Sequence, residues 1–254
     1  MHCPFIAANW KMHKVRDDAL GFARELAERL PHASELDIVL FVPSLYVAEI
    51  SLLLQDSIVH VGVQNLFWEE FGSYTGEISA SMARSVGARY ALIGHSERRI
   101  HLHETDEEIS RKVGAAVNGE CAPVLCIGEE RQERESGRMA EGIRQQLELG
   151  LARIDRTHIA GVTLAYEPLW AIGTGVAANR EEVVEAHQVV RESLEACYDS
   201  TVARATRIIY GGSVTQENVV ELLQSQHVDG VLVGGASLKL GHFLEIVQAA
   251  RSLV

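Results

Sequence analysis

The chain has few of the residues that mark metal-binding or membrane-spanning proteins. It carries four cysteines, no Cys-x-x-Cys pair and no His pair with the spacing of metal ligands. We therefore predict reduced thiols and no metal site. The apolar runs are about five residues long, whereas about 20 are needed to cross a bilayer. Residues 1–5 contain no basic region followed by an apolar stretch, so we predict no signal peptide and a cytoplasmic protein.

Positive charge is also scarce. The chain has 23 Lys and Arg against 35 Asp and Glu, which gives a formal net charge of −12. This balance argues against nucleic acid as a partner, because phosphate backbones need clustered Lys and Arg. A small anion is still compatible with it, provided that the site is locally positive.

Stretches typical of linkers are absent as well. There is no run rich in Pro or Ser, no charge block and no shift in composition, and 47% of the 254 residues are hydrophobic. We predict a single domain over residues 1–254 with a large core.

Short apolar runs alternate with longer amphipathic segments along the whole chain. The runs are rich in Val, Ile and Leu, as expected of strands covered on both faces, and each is too short for a helix. Eight strands alternating with helices predict an α/β fold, the (β/α)8 barrel. The predicted strands are Phe5–Asn9, Ile38–Val42, Ile58–Val63, Tyr90–Ile93, Pro123–Ile127, Val162–Tyr166, Arg207–Tyr210 and Gly230–Val233.

Helix starts are marked by capping residues. Thr105 followed by Glu108 predicts a helix to about Glu120, and Asn179 followed by Glu182 predicts another. The second has an inward stripe that includes His187. Thr215 is predicted to cap a third helix.

A doubly wound open sheet is the alternative architecture. Residues 173–178 fit the dinucleotide-binding pattern G-x-G-x-x-A, and Glu192 and Glu195 follow about 20 residues on. However, residues 168–172 separate the preceding strand from the first glycine, and both acidic residues fall inside a predicted helix. The barrel is the better interpretation.

In a barrel, residues just past the carboxyl ends of the strands meet at one rim. Strand 6 ends at Glu167, and Pro168 holds Glu167 in extended geometry. The loop from Pro168 to Ala178 has few charges and two glycines, which is typical of a lid that closes over a site. We interpret Glu167 as a base, although a rim ion pair would also explain it.

Other chemically useful side chains lie at the same rim. Strand 1 ends with Asn9 and Lys11, and strand 4 is followed by His95. His95 precedes a helix start, which favours a neutral imidazole that donates a hydrogen bond. Lys11 would supply a fixed positive charge. A solvated surface lysine and a core histidine are the plain alternatives.

Glycine pairs end strands 7 and 8. Gly211 and Gly212 precede Ser213, and Gly234 and Gly235 follow strand 8. Oriented amides and helix N-termini at one point predict a phosphate site, whereas tight turns alone would explain either pair separately. The whole set, without a cofactor motif, fits proton abstraction next to a carbonyl in a small phosphorylated substrate.

The chain resembles the triosephosphate isomerase family along nearly its whole length. The matching segments occur in one order: Asn9-Trp10-Lys11-Met12, Gln64-Asn65, Tyr74-Thr75-Gly76-Glu77, Gly94-His95-Ser96-Glu97-Arg98-Arg99, Cys126-Ile127-Gly128-Glu129, Ala165–Gly175, Tyr210-Gly211-Gly212-Ser213-Val214 and Val233-Gly234-Gly235-Ala236-Ser237-Leu238.

The resemblance implies interconversion of glyceraldehyde 3-phosphate and dihydroxyacetone phosphate through an enediolate, without a cofactor. It implies that Glu167 is the base, that His95 and Lys11 polarise the oxygens and that Asn9 positions the substrate. It assigns phosphate binding to Gly173, Ser213, Gly234 and Gly235.

The resemblance also implies a homodimer in which the loop after strand 3 enters the partner. Here that loop carries Phe67, Trp68 and Phe71 before Tyr74, a poor exposed surface for a monomer. We predict a tight dimer with Thr75 in the contact.

Two other functions remain open from the residues alone. One is a barrel aldolase that uses Lys11 as a Schiff base, since Lys11 is the only lysine at a predicted strand end. The other is a barrel that binds a metabolite without catalysis, for which a base beside a lid would serve no purpose.

Overall fold

Eight parallel strands form a closed barrel. The structure, a computed structural model, describes residues 3–30, 35–171 and 178–254. Each strand pairs with the next and the last pairs with the first, so the predicted (β/α)8 barrel is confirmed and the open sheet is wrong. The strands are β1 (Phe5–Asn9), β2 (Asp37–Val42), β3 (Val59–Val63), β4 (Tyr90–Ile93), β5 (Ala122–Ile127), β6 (Thr163–Tyr166), β7 (Arg207–Tyr210) and β8 (Gly230–Val233).

Helices surround the barrel. Within the described residues they are α1 (Arg16–Arg29), α2 (Val47–Leu53), α3 (Ala80–Ser85), α4 (Ser96–Leu102), α5 (Asp106–Asn118), α6 (Arg131–Glu135), α7 (Met139–Leu151), α8 (Arg180–Cys197), α9 (Ser200–Ala205), α10 (Val219–Leu223) and α11 (Leu240–Arg251). In the described part of the chain, none is long and apolar enough to cross a membrane.

Two of the three predicted helix starts are confirmed. Thr105 and Asn179 form capping boxes at α5 and α8, with Glu108 and Glu182 as the reciprocal partners. The third is wrong, because α10 begins at Val219 rather than just after Thr215.

The Asn218 side chain explains the late start of α10. Its amide nitrogen donates to the Ser213 carbonyl at 2.9 Å, and its oxygen accepts from the Thr215 N–H at 2.9 Å. Asn readily binds nearby backbone in this way and so competes with helix formation. The segment after the first glycine pair is therefore an irregular turn.

The barrel interior is filled by alternate residues of the strands. Phe5 and Ala7 of β1, Cys126 of β5, Ala165 of β6 and Ile209 of β7 belong to one interior cluster. Side chains alternate along a strand. The residue two positions after the last cluster member of each strand therefore also faces inward, at the carboxyl end of the barrel.

His187 lies on the buried stripe of α8. It is fully buried, and its Nδ1 atom lies 3.0 Å from the His227 carbonyl oxygen. Burial away from water lowers the pKa of His187 from 6.5 to about 4.

This buried imidazole predicts acid sensitivity. In the unfolded chain His187 binds a proton below about pH 6.5. In the folded protein its pKa is about 4, so it stays neutral until the pH falls to about that value. Stability is therefore lost as pH falls through that window, by about 3 kcal/mol at its lower end. Urea unfolding of the wild type and of His187→Asn, at neutral pH and near pH 4, measures this loss at fixed protein concentration. The variant should lose less stability, and an equal loss would contradict the prediction.

Candidate active site

The residues that face inward beyond the strand ends meet at the carboxyl mouth of the barrel. Asn9 continues the inward series of β1, Glu167 that of β6 and Gly211 that of β7. Asn9 and Glu167 are both buried, and a Cβ atom on Gly211 would lie 2.9 Å from Glu167 Cγ. The alternation of the strands thus brings a carboxylate to the centre of the mouth.

Glu167 is held by backbone on both sides. Its N–H donates to the Ile127 carbonyl at 2.8 Å, which extends the pairing of β5 with β6. Its carboxylate atom Oε2 accepts from the Ser96 N–H at 2.8 Å. The other oxygen, Oε1, has no partner with full hydrogen-bond geometry within the described residues, although Glu167 is only 1% exposed and His95 Nε2 lies 3.1 Å away. One carboxylate oxygen is therefore fixed and the other is available.

His95 lies beside that available oxygen. It precedes the first residue of α4, and its Nδ1 atom accepts from the Glu97 N–H at 3.2 Å. A neutral imidazole that accepts at Nδ1 carries its proton on Nε2. His95 Nε2 lies 3.1 Å from Glu167 Oε1. The start of the helix thus sets the tautomer and aims the N–H into the mouth.

Lys11 adopts a left-handed backbone conformation, with φ of 52°. Its N–H donates to Asn9 Oδ1 at 2.9 Å, and its carbonyl accepts from Gln64 Nε2 at 3.0 Å. Its ammonium group lies 2.6 Å from Glu97 Oε1. Such a conformation in a non-glycine residue is strained and persists because several contacts fix it. The cation is therefore held in one place at the rim.

The glycines predicted for phosphate binding lie beside these groups. A Cβ atom on Gly234 would lie 3.6 Å from Lys11 Cε, so the second pair adjoins the cation. Gly235 begins a single 3-10 turn, Gly235–Leu238. Ser213 is exposed at the end of the first pair. Gly173 and most of the lid fall outside the described residues, so their predicted roles stay predictions.

Sequence reasoning missed how the start of the lid is held. Glu129 is fully buried, and its Oε1 atom accepts from Tyr166 Oη at 3.1 Å, Trp170 Nε1 at 2.8 Å and Arg134 Nη1 at 3.1 Å. This carboxylate ties β6 and the first residues of the lid together. The signal was present in the Cys126–Glu129 segment, but nothing local connects Glu129 to Trp170.

The ammonium group of Lys11 and the backbone N–H of Ser96 are hydrogen-bond donors at the mouth. No group of three His, Cys, Asp or Glu side chains within residues 3–30, 35–171 and 178–254 is arranged to hold a metal. Ser96 contributes its backbone N–H to the site. A backbone group of this kind cannot be predicted from the chemistry of the side chains in the sequence.

Known proteins resemble this chain over nearly its full length. The family model "Triosephosphate isomerase" matches residues 4–250. The triosephosphate isomerase of Dictyoglomus thermophilum is 43% identical over 251 residues, covering 98% of this chain and all of the relative. That of Rubrobacter xylanophilus is 42% identical over 249 residues, covering 98% and 97%.

A solved structure has the same architecture. The crystal structure of triosephosphate isomerase from Bartonella henselae aligns with a TM-score of 0.88 and 35% identity, covering 98% of this chain and 99% of that one. The fold and these relatives together define an α/β-barrel enzyme, a class in which sites lie at the carboxyl ends of the strands. The chain belongs to the triosephosphate isomerase family.

Proposed function

We propose that this protein is an isomerase that interconverts D-glyceraldehyde 3-phosphate and dihydroxyacetone phosphate, with Glu167 as base and His95 as electrophile. The observation that carries the assignment of roles is the pair formed by these two side chains. Glu167 presents an available carboxylate oxygen, and the His95 Nε2 atom lies 3.1 Å from it. Family membership supports the reaction itself.

The reaction moves one proton between neighbouring carbons. Glu167 removes the proton from C2 of glyceraldehyde 3-phosphate, and the electron pair moves onto the aldehyde oxygen to give an enediolate. His95 donates from Nε2 to the oxygens, which lets the hydroxyl proton change place. Glu167 then returns its proton to C1. A neutral donor fixed beforehand stabilises the charge as it develops.

Lys11, Asn9 and the glycines hold the substrate. The fixed ammonium group of Lys11 offsets negative charge on the enediolate and on the phosphate. Asn9, which is hydrogen-bonded to the backbone of Lys11, positions the substrate next to this ammonium group. Ser213, Gly234 and Gly235 bind the phosphate with backbone N–H groups, together with Gly173 from the lid. The phosphate does not react, but the binding energy gained from anchoring it orients the two carbons between which the proton moves.

Closure over the site keeps water from the enediolate, which would otherwise lose its phosphate. The lid runs from Pro168 to Ala178. The buried Glu129 carboxylate supports this role because it accepts a hydrogen bond from Trp170 and so holds the start of the lid in place.

The test is a coupled assay for conversion of glyceraldehyde 3-phosphate, repeated in deuterium oxide. We expect turnover and deuterium on the carbon that gains the proton, because a carboxyl proton exchanges with solvent. A covalent adduct after borohydride treatment would instead favour the Schiff-base aldolase. The ion pair between Lys11 and Glu97 argues against that function, since imine formation requires a neutral amine. Binding without turnover would favour the non-catalytic barrel.

We further propose a homodimer formed through the loop around Thr75. Phe71 at the tip of this loop is 76% exposed, and Met12 beside the site is 95% exposed. A cavity of about 940 Å³ includes the site residues Asn9, Lys11 and His95 and extends past Met12. Phe67 and Trp68 of the loop are half-buried, so the exposed Phe71 and the cavity are the features that favour contact between two copies of this chain in a two-fold arrangement.

The dimer can be tested at Thr75. Thr75→Arg places a long charged side chain in the contact, so we expect monomers at micromolar concentration and a loss of activity. Sedimentation measures the first and the isomerase assay the second. Thr201→Arg changes an exposed threonine on α9 and should remain dimeric and active. A Thr75→Arg variant that is dimeric and active would contradict the proposed interface.

The remaining assignments rest on the sequence. We take residues 1–254 as one domain, because β1 and β8 must both be present for the barrel to close. We place the protein in the cytoplasm and propose that it needs no cofactor, since the acid–base groups of the mouth suffice for the reaction.

A further inference from the structure

Three elements of the barrel meet at the side chain of Arg99. This side chain, on α4, is 12% exposed. Its Nε atom donates to the Gly94 carbonyl at 2.9 Å, and Nη2 donates to the Cys126 carbonyl at 3.2 Å. Its Nη1 atom donates to Asp106 Oδ1 at 2.6 Å, in the first turn of α5. One guanidinium thus joins the end of β4, the end of β5 and the start of α5.

The two carbonyls that accept from Arg99 belong to Gly94 and Cys126, at the strand ends that carry the site. Gly94 precedes His95 and has φ of 71°, a left-handed conformation that turns the chain from β4 into α4. A Cβ atom on Gly94 would lie 3.3 Å from the Cys126 oxygen, so the two strand ends approach closely here. The bonds from Arg99 hold them in that relation.

The first turn of α4 carries two contacts of the base. His95 precedes it, with Nε2 3.1 Å from Glu167 Oε1, and the Ser96 N–H donates to Glu167 Oε2. Both contacts move if this turn moves relative to β5 and β6. Arg99 is the residue of this turn whose side chain reaches back to the strands.

We propose that Arg99 is a positioning residue for the isomerisation: it holds the first turn of α4 against β4 and β5, so that His95 and the Ser96 N–H keep their places relative to Glu167. This inference rests on the proposed function. Arg99 makes its hydrogen bonds to the Gly94 and Cys126 carbonyls and to Asp106, not to the Glu167 carboxylate or the His95 imidazole. It therefore acts on the reacting groups through the backbone.

The three targets require the guanidinium group. Its fork of N–H donors lies in one plane and serves two carbonyls and one carboxylate at once. A lysine ammonium keeps the charge, and so the attraction to Asp106, but cannot reproduce that planar set. Arg99→Lys therefore distinguishes the effect of the charge facing Asp106 from the effect of the hydrogen bonds that align the ends of β4 and β5.

The experiment compares Arg99→Lys and Arg99→Gln with the wild type in kcat, KM and inhibition by inorganic phosphate. A displacement of about 1 Å lowers rates about 100-fold, so we expect kcat to fall by about that factor. Phosphate is held at the ends of β7 and β8, so KM and the inhibition constant should stay near the wild-type values. Arg99→Ala should regain part of its kcat when guanidinium is added.

Arg29→Lys serves as the matched control, because Arg29 is exposed and forms an exposed ion pair with Glu25 in α1. A kcat within twofold of the wild type in both Arg99→Lys and Arg99→Gln would overturn the proposal. So would an equal loss of kcat and of phosphate affinity, which would indicate a general structural role. An inactive wild type would contradict the proposed function instead, and this outcome is read separately.

Discussion

Replacement of Glu167 by glutamine is expected to lower kcat by about three orders of magnitude with the fold intact. The amide has the shape of the carboxylate, and its oxygen can still accept the Ser96 N–H that now binds Oε2. The group beside His95 Nε2, however, is no longer basic and cannot take a proton from carbon. The loss should appear in kcat because proton abstraction takes place in the transition state.

The measurement is the coupled assay run side by side on the wild type and the variant, with circular dichroism to compare their folding. Glu195→Gln removes an exposed carboxylate from α8 and should retain wild-type activity. A folded Glu167→Gln protein with more than a tenth of the wild-type kcat would exclude Glu167 as the base.

The second large effect is expected at Gly128, behind the base. A Cβ atom there would lie 1.8 Å from the Glu167 carbonyl oxygen and 2.6 Å from its carbon. These are backbone atoms of the residue that directly follows β6, and the hydrogen bond from Glu167 N–H to the Ile127 carbonyl holds this residue against β5. Gly128→Ala can be accommodated only if the strand ends separate. We expect a loss of about 3 kcal/mol in the free energy of unfolding and a large loss of kcat.

The control for this substitution is Gly161→Ala. A Cβ atom on Gly161 would meet nothing within 4 Å, and its φ is not left-handed. Its effect on stability should stay within about 0.5 kcal/mol. Denaturant unfolding and the assay compare the two variants. Equal stability and activity in both would show that the backbone beside Glu167 yields easily, which would contradict the tight fit inferred from the structure.

Most of the barrel could be read from the chain because its strands are nearly continuous apolar runs. Four predicted strands have the observed bounds, and the other four differ by one residue at the amino end. Those four ends are set by pairing rather than composition: Asp37, for instance, is polar but pairs with Phe5 and therefore extends β2. The (β/α)8 prediction depended on the number and spacing of runs, which such shifts do not change.

The positions of the site groups followed from the strand ends, whereas their fixing contacts did not. Glu167 and Asn9 face inward because of the alternation along β6 and β1, which is a local property. The hydrogen bonds that Trp170 donates to Glu129 and that Arg99 donates to Cys126 join residues far apart in sequence. No periodicity encodes such pairs. Asn218 shows the opposite limit, since a single local side chain delayed a helix that the pattern favoured.

The closure of the sheet has a consequence for how the protein is made. Phe5 pairs with Gly230, which is synthesised more than two hundred residues later. At roughly 5 to 20 residues per second, β1 leaves the ribosome tens of seconds before its second neighbour exists. One edge of β1 is thus exposed during that time, and it is rich in apolar residues. The closed barrel has no such edge, whereas we expect the nascent chain to be prone to aggregation until its last strand is synthesised.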